Sequence, residues 1–147
     1  MLHYEIWTDG SCCKVKDTDS KGDCGAGYVV VDADTSKIIH LHGEYIGIST
    51  NNMAEFVAVQ LALEDILGRE RDGATIYVDL FSDSKLVIES LKGNYNLKEP
   101  HLIKMLKTTR NLVSKMKGAC TFTWVKAHSG VELNEFADFL AYSAARG

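Results

Sequence analysis

The sequence predicts an α/β fold in which a five-stranded mixed sheet carries helices on both faces. Three β-like segments come first along the chain with no helix between them, which indicates an antiparallel meander. Two later β-like segments each follow helical periodicity, which indicates parallel crossovers. With 147 residues and 46% apolar composition, the chain is long and apolar enough for residues 1–147 to form one domain around its own core.

The first three strands are predicted from alternating side chains and from turn residues. Residues 2–8 alternate between apolar and polar side chains well enough to indicate a strand. Residues 25–33 and 37–47 are typical of a hairpin whose turn is Asp34-Thr35-Ser36. These three segments supply the meander.

A long helix is predicted over residues 52–68, where apolar residues recur with a 3.6-residue period. Either Thr50 or Asn51 is expected to cap its N-terminus, and Gly68 is expected to end it. Residues 74–81 then indicate the fourth strand.

The second half of the chain is predicted to be mostly helical. A short helix covers residues 84–92, and Pro100 opens another helix at about residues 101–116. Residues 119–126 form the fifth strand, and residues 131–145 form a closing helix rich in Ala, Leu and Phe. The predicted order is therefore β-β-β-α-β-α-α-β-α.

The composition argues against a membrane protein and against a disulfide or zinc scaffold. No stretch approaches about 18 uninterrupted apolar residues, and the chain start at Met1 lacks the basic and apolar regions of a signal peptide. We therefore expect a cytoplasmic protein, and we also expect it to be free-standing and monomeric. The cysteines have no C-x-x-C spacing, so we expect free thiols and no zinc site at Cys12, Cys13, Cys24 and Cys120.

The net charge of −4 conceals an uneven distribution. The segment from Ser84 to Gly118 contains eight Lys or Arg and two Glu, a net +6, whereas the rest contains eight basic and eighteen acidic residues, a net −10. A basic stripe of this kind is either a solvated helix face or a contact for a phosphate backbone. On charge alone both interpretations stay open.

Four acidic residues lie at positions that could bring their carboxylates together at one edge of the sheet. Asp9 ends the first strand and Asp83 follows the fourth, so parallel pairing would bring both to the carboxyl edge of the sheet, where ligands bind. Glu55 lies in the first turn of the long helix, and Asp138 shares a face of the last helix with Asn134. Converging carboxylates need cations, and Mg²⁺ accepts hard oxygen ligands together with phosphate oxygens. Taken singly, each acid also has an ordinary use as a turn, capping or surface residue.

Four short motifs follow one another along the chain: Thr8-Asp9-Gly10-Ser11-Cys12, Thr50-Asn51-Asn52-Met53-Ala54-Glu55, Ser82-Asp83-Ser84, and His128-Ser129-Gly130 with Asn134-Glu135-x-Ala137-Asp138. In this order and at these element positions they resemble type 1 ribonuclease H, from Leu2 to about Ala145. The resemblance implies a ribonuclease H-like fold and an endonuclease that hydrolyses the RNA strand of RNA–DNA hybrids with two metal ions. By the same resemblance, His128 assists proton transfer or product departure. The ligands of the two Mg²⁺ ions, with Mn²⁺ as an alternative metal, are then Asp9, Glu55, Asp83 and Asp138.

The resemblance also implies contacts with the hybrid. Asn51 and Asn52 would contact its bases and sugars in the minor groove. The other candidates within the motifs are Gly10, Ser11, Cys12, Ser84 and Asn134. The basic, tryptophan-bearing protrusion of many relatives is replaced by a short turn at residues 92–98. We therefore expect part of the binding from the following helix, at Lys104, Lys107 and Arg110.

Three other interpretations compete with this one. A non-catalytic nucleic-acid-binding module gains nothing from clustered acids that face phosphates, so the complete tetrad argues against it. A junction resolvase or transposase core of the same fold is disfavoured by the Asn51-Asn52 and His128-x-Gly130 motifs. A domain cut from a reverse transcriptase is disfavoured by the start at Met1.

Overall fold

The computed structural model describes residues 2–13, 21–127 and 130–147. Its elements follow the predicted order, as β1 (Leu2–Cys12), β2 (Gly22–Asp32), β3 (Ile38–Ser49), α1 (Asn51–Arg71), β4 (Ile76–Ser82), α2 (Lys85–Leu91), α3 (Pro100–Ser114), β5 (Cys120–Trp124) and α4 (Glu132–Ala145). Within these ranges no helix is both long enough and apolar enough to cross a membrane.

The five strands form one mixed sheet in the order β3-β2-β1-β4-β5. Strands β1, β2 and β3 pair antiparallel, whereas β4 is parallel to both β1 and β5. The predicted meander and crossovers are thus confirmed. Thr8 pairs with Ser82 in the parallel β1–β4 ladder. The next residue on each strand, Asp9 and Asp83, therefore leaves the ladder at the same edge.

Buried side chains cover both faces of the sheet, because the central strands alternate apolar residues toward each side. On one face Ile6 packs with Phe56 and Leu63 of α1, and the same cluster includes α2 and α3. On the other face Trp7 and Val29 pack against α4. The helices are thereby held at fixed positions over the sheet, which is what brings residues from α1 and α4 toward the ends of β1 and β4.

Helix α1 differs from the prediction at its C-terminal end. It continues through Gly68 to Arg71, and the chain turns at Gly73, whose φ of +100° suits glycine. Gly68 was wrong as the terminator because Glu70 beyond it is buried and its carboxylate accepts hydrogen bonds from the main-chain N–H groups of Ile76 and Lys117. These tertiary contacts override the low helix propensity of one glycine. At the other end, Thr50 is the N-cap, and its hydroxyl accepts a hydrogen bond from the Met53 N–H at 3.3 Å.

Strands β1 and β2 are both longer than predicted, and this changes the cysteine chemistry. Cys12 and Cys24 occupy directly paired positions, with Cα atoms 4.0 Å apart, and form a disulfide. The expectation of four free thiols was therefore wrong for these two cysteines. Antiparallel pairing brings together residues that are 12 positions apart in sequence, and spacing alone does not reveal this register. Cys13 and Cys120 are free thiols, as expected.

Candidate active site

Asp9 lies inside the sheet near the carboxyl end of β1. It is opposite Gly27 on β2, next to the end of β4, and only 4% exposed. Asp83 follows β4 directly and is half-buried. The parallel pairing of these two strands places the two carboxylates side by side, as the sequence predicted.

Glu55 reaches the same point because α1 begins very close to β1. A Cβ atom built on Gly10 would lie 2.8 Å from the Cβ of Ala54, so only glycine leaves room for this approach. The Gly10 N–H donates hydrogen bonds to Oε1 of Glu55 and to Oδ1 of Asp9. Gly10, which sequence reasoning assigned to substrate binding, therefore has a clear structural part in joining the strand to the helix.

Three of the acidic side chains form one cluster. A carboxylate oxygen from each of Asp9, Glu55 and Asp83 lies within 4.8 Å of the others. Asp138 on α4 approaches from the opposite face of the sheet and lies close enough to contribute to the raised pKa of Asp9. The structure therefore brings three of the predicted metal ligands, Asp9, Glu55 and Asp83, together and places Asp138 next to Asp9.

The electrostatics of the cluster favour protonation of its carboxyl groups or binding of cations to them. Burial, followed by the charge of Glu55, raises the pKa of Asp9 far above the usual carboxyl range. Burial also raises the pKa of Glu55, although the hydrogen bond with Asp9 opposes this shift. Asp9 and Glu55 therefore resist being charged together unless cations neutralise them. Their oxygen-only donor set is the kind that Mg²⁺ prefers.

The asparagines differ in their accessibility. Asn51 and Asn52 are exposed in the first turn of α1, and because Thr50 makes the cap, their amide groups are available to a ligand. Asn134 is only 2% exposed, one turn before Asp138 on α4. Its Oδ1 has no hydrogen-bond partner within the described part of the chain.

Among the remaining motif residues, some make structural contacts within the protein. The Ser84 hydroxyl caps α2 by accepting a hydrogen bond from the Val87 N–H at 3.3 Å. Ser11 is half-exposed near the end of β1. Cys12 has its sulfur in the disulfide, so a contact with a ligand would have to use its main chain or the disulfide itself. His128 lies outside the described residues.

The basic helix α3 packs against α1 on one face of the sheet. Lys104 and Lys107 are exposed, as binding residues would need to be. Arg110 donates a hydrogen bond from Nη2 to the main-chain oxygen of Ser90 at 2.9 Å, which ties α3 to α2. Its guanidinium is thus partly engaged within the protein.

Sequence reasoning missed two residues beside the acidic cluster. Trp124 ends β5 and donates a hydrogen bond to the main chain of Asp83. The ammonium of Lys85 lies over the Trp124 ring. The signal was present in the sequence, because a tryptophan ends the fifth predicted strand and a lysine directly follows the Ser82-Asp83-Ser84 motif, but nothing there shows that the two meet.

A family sequence model described as RNase H matches residues 2–146. The bifunctional protein Rv2228c of Mycobacterium tuberculosis is 34% identical over 123 residues, which are 84% of this chain and 31% of that protein. The chain therefore spans less than a third of this relative. A ribonuclease H of Pseudoalteromonas atlantica is 30% identical over 156 residues, with 100% of this chain and 93% of that protein covered.

Two solved structures share this architecture over nearly their whole length. The N-terminal RNase H domain of Rv2228c, solved as a fusion with maltose binding protein, superimposes with a TM-score of 0.82 at 30% identity. The match covers 99% of this chain and 95% of that one. LC11-RNase H1, solved in complex with an RNA/DNA hybrid, gives a TM-score of 0.82 at 26% identity, with 97% and 96% covered.

Proposed function

Because the chain belongs to the ribonuclease H family, we propose that residues 1–147 act as one catalytic domain that hydrolyses the RNA strand of RNA–DNA hybrids. The observation that carries this proposal is the partly buried acidic cluster of Asp9, Glu55 and Asp83, with Asp138 next to Asp9. A protein that only bound nucleic acid would gain nothing from placing these charges where phosphates must approach.

The donor set of the cluster suits two Mg²⁺ ions, with Mn²⁺ as the alternative metal. Asp9, Glu55, Asp83 and Asp138 would hold the ions, and Asp9 interacts with each of the other three acids. When bound, such a pair activates a water molecule and stabilises the leaving oxygen of a phosphoryl displacement.

The protein's own contribution is to hold these ligands in place before substrate arrives. Two paired strands fix Asp9 and Asp83, and the Gly10 N–H orients the Glu55 carboxylate. Fixed donors of this kind avoid the cost of reorganising the site during the reaction. His128, by its place in the motif, would assist proton transfer or product departure.

To select a hybrid, the protein must distinguish the RNA strand, which carries 2′-hydroxyl groups, from the DNA strand, which does not. Asn51 and Asn52 lie exposed at the start of α1, directly before the turn that carries Glu55. Amide groups at this place can contact bases and 2′-hydroxyl groups in a wide minor groove. Gly10, Ser11, Cys12, Ser84 and Asn134 complete the proposed contact surface, and the basic helix α3 adds phosphate contacts through Lys104, Lys107 and Arg110. The monomeric state and the cytoplasmic location stay predictions from the sequence.

A cleavage assay on three labelled duplexes tests the proposal. With Mg²⁺, the protein should cut the RNA of an RNA–DNA hybrid and leave double-stranded RNA and double-stranded DNA intact, and a chelator should abolish the activity. Asp83→Asn should lower turnover by orders of magnitude, because it removes a ligand charge. Asp34→Asn is the matched control, since Asp34 is exposed in the β2–β3 turn at the opposite edge of the sheet.

Each alternative function has its own outcome in this assay. Cleavage of double-stranded or branched DNA in place of the hybrid would indicate a resolvase or transposase core. Hybrid binding without cleavage under any metal condition would indicate a binding module. Either result would overturn the proposal, and so would full activity of Asp83→Asn.

A further inference from the structure

Trp124 lies at the carboxyl end of β5, and 40% of it is exposed. It pairs with Ser82, and its indole Nε1–H donates a hydrogen bond to the main-chain oxygen of Asp83 at 3.1 Å. The ring is thus anchored to the main chain of a proposed metal ligand. A large exposed indole at the ligand-binding edge of an α/β sheet is typical of a contact surface.

The side chain of Lys85 is held against this ring. Its ammonium lies 5.6 Å from the ring centroid, within the range of a cation–π attraction. Lys85 is exposed and is the first residue of α2, where a positive charge opposes the helix dipole. The attraction and the dipole penalty are similar in size at an exposed position. Helix stability therefore gives no reason for a lysine here.

The surroundings of Lys85 point to a phosphate ligand. Lys85 lies two residues after Asp83, beside an acidic cluster that would receive the scissile phosphate together with its metals. A flanking phosphate of the same strand would then come within reach of a lysine two residues from Asp83. Contact with the Trp124 ring restricts the flexible lysine stem before substrate arrives, which reduces the entropy lost on binding.

On the basis of the proposed hybrid cleavage, we infer that Lys85 binds a backbone phosphate next to the scissile one and that Trp124 is the positioning residue that holds Lys85 there. Lysine binds a phosphate as a point charge on a flexible stem and has no fixed geometry of its own. Contact with the Trp124 ring would therefore fix the position of the ammonium group. The contact is made before and during the reaction alike, so it should act on the Michaelis constant and little on turnover.

Lys85→Met tests the phosphate contact, with Lys37→Met as the matched control. Lys37 is exposed in the β2–β3 turn at the far edge of the sheet, so its replacement changes the net charge equally without touching the site. Lys85→Met should raise the Michaelis constant about fivefold to tenfold and lower the slope of log affinity against log salt by about one. Lys85→Arg should retain most of the wild-type affinity, because a guanidinium also stacks on an indole.

A double-mutant cycle tests the positioning role of the ring. Trp124→Leu should raise the Michaelis constant about threefold or more when Lys85 is present, and should have no further effect in the Lys85→Met background. Trp124→Phe keeps an aromatic face and should keep most of the affinity. A merely structural tryptophan would lower the melting temperature and raise the Michaelis constant equally in both backgrounds, and this result would overturn the positioning role.

Binding of a labelled hybrid, measured by fluorescence anisotropy with a chelator, separates this inference from the proposed function. If the wild-type protein does not cleave the hybrid with Mg²⁺, the proposed function fails, and the binding series still decides the role of Lys85. If wild type cleaves the hybrid but Lys85→Met has the affinity and salt slope of Lys37→Met, the inference on Lys85 is wrong.

Discussion

Replacing Gly10 by alanine should disturb the active site without removing any catalytic group. Gly10 is the point at which β1 and the first turn of α1 touch, and its N–H orients the Glu55 carboxylate. An added Cβ would lie 2.8 Å from the Cβ of Ala54 and 2.5 Å from the main-chain nitrogen of Glu55. Both neighbours belong to a helix packed into the core, so neither can move alone.

The size of the effect follows from these distances. Non-bonded carbon atoms prefer a separation of about 3.5–4.0 Å, so the start of α1 must shift by about 1 Å to accept the new methyl group. Overpacking of this kind typically costs about 1–3 kcal/mol of stability. A displacement of about 1 Å in a catalytic group costs up to about 100-fold in rate. We therefore expect Gly10→Ala to fold, to be less stable, and to turn over one to two orders of magnitude more slowly.

Gly68→Ala supplies the matched control within the same helix. A Cβ at Gly68 meets no atom within 4 Å, and alanine is favoured over glycine inside a helix by up to about 1 kcal/mol. This variant should be more stable than wild type and should keep its turnover. Urea unfolding gives the stability of both variants, and single-turnover cleavage of a hybrid at saturating enzyme gives the rate of the chemical step.

The result that would refute this reasoning is a Gly10→Ala variant with the stability and single-turnover rate of wild type. The close approach of α1 to β1 would then not be what positions Glu55. A loss of stability with an unchanged rate would show that α1 can shift without moving the carboxylate.

The acidic cluster, His128 and the basic helix each give one more prediction. Burial raises the pKa of the Asp9 carboxyl group in the folded protein. Without metal, the fold is therefore most stable while this group is protonated, and it loses stability as pH rises above the carboxyl pKa of the unfolded chain. Asp9→Asn should therefore raise the melting temperature in chelator at neutral pH, and a lower melting temperature would contradict this. His128→Ala should reduce kcat about 10- to 100-fold, less than loss of a metal ligand, and complete inactivation would mean a larger role. Replacing the α3 cations by alanine should raise KM and flatten its salt dependence with little change in kcat, and an unchanged KM would leave α3 a solvated face. These cations are Lys104, Lys107 and Arg110.

The order of elements and the topology of the sheet were predictable because they depend on patterns that are local in sequence. Alternation marks the strands, 3.6-residue periodicity marks the helices, and the order of the two fixes where crossovers must occur. Element ends were less predictable, since they depend on packing. Gly68 looks like a helix stop in sequence, yet α1 continues to Arg71, because the buried Glu70 makes contacts that exist only in the folded chain.

The acidic site was predictable for a related reason. Once β1 and β4 are taken as parallel neighbours, it follows directly that Asp9 and Asp83 lie side by side where the β1–β4 pairing ends. The disulfide and the Lys85–Trp124 contact depend instead on register between strands and on side-chain direction. Neither quantity can be read from spacing along one chain. Sequence reasoning therefore found the acids that the fold brings together and missed one pair that we infer to position the substrate.

The buried cluster is the place where this chain departs most clearly from the rules that stabilise a fold. Asp9 is almost fully buried among other acids, where burial and like charges oppose its ionisation. The surrounding structure holds it there through two strand pairings and through Gly10, whose missing side chain lets Glu55 approach. Such a conflict persists in a natural protein when function requires it. A metal-dependent reaction on a phosphate supplies that requirement, because the cations that relieve the repulsion are the same ones that the chemistry needs.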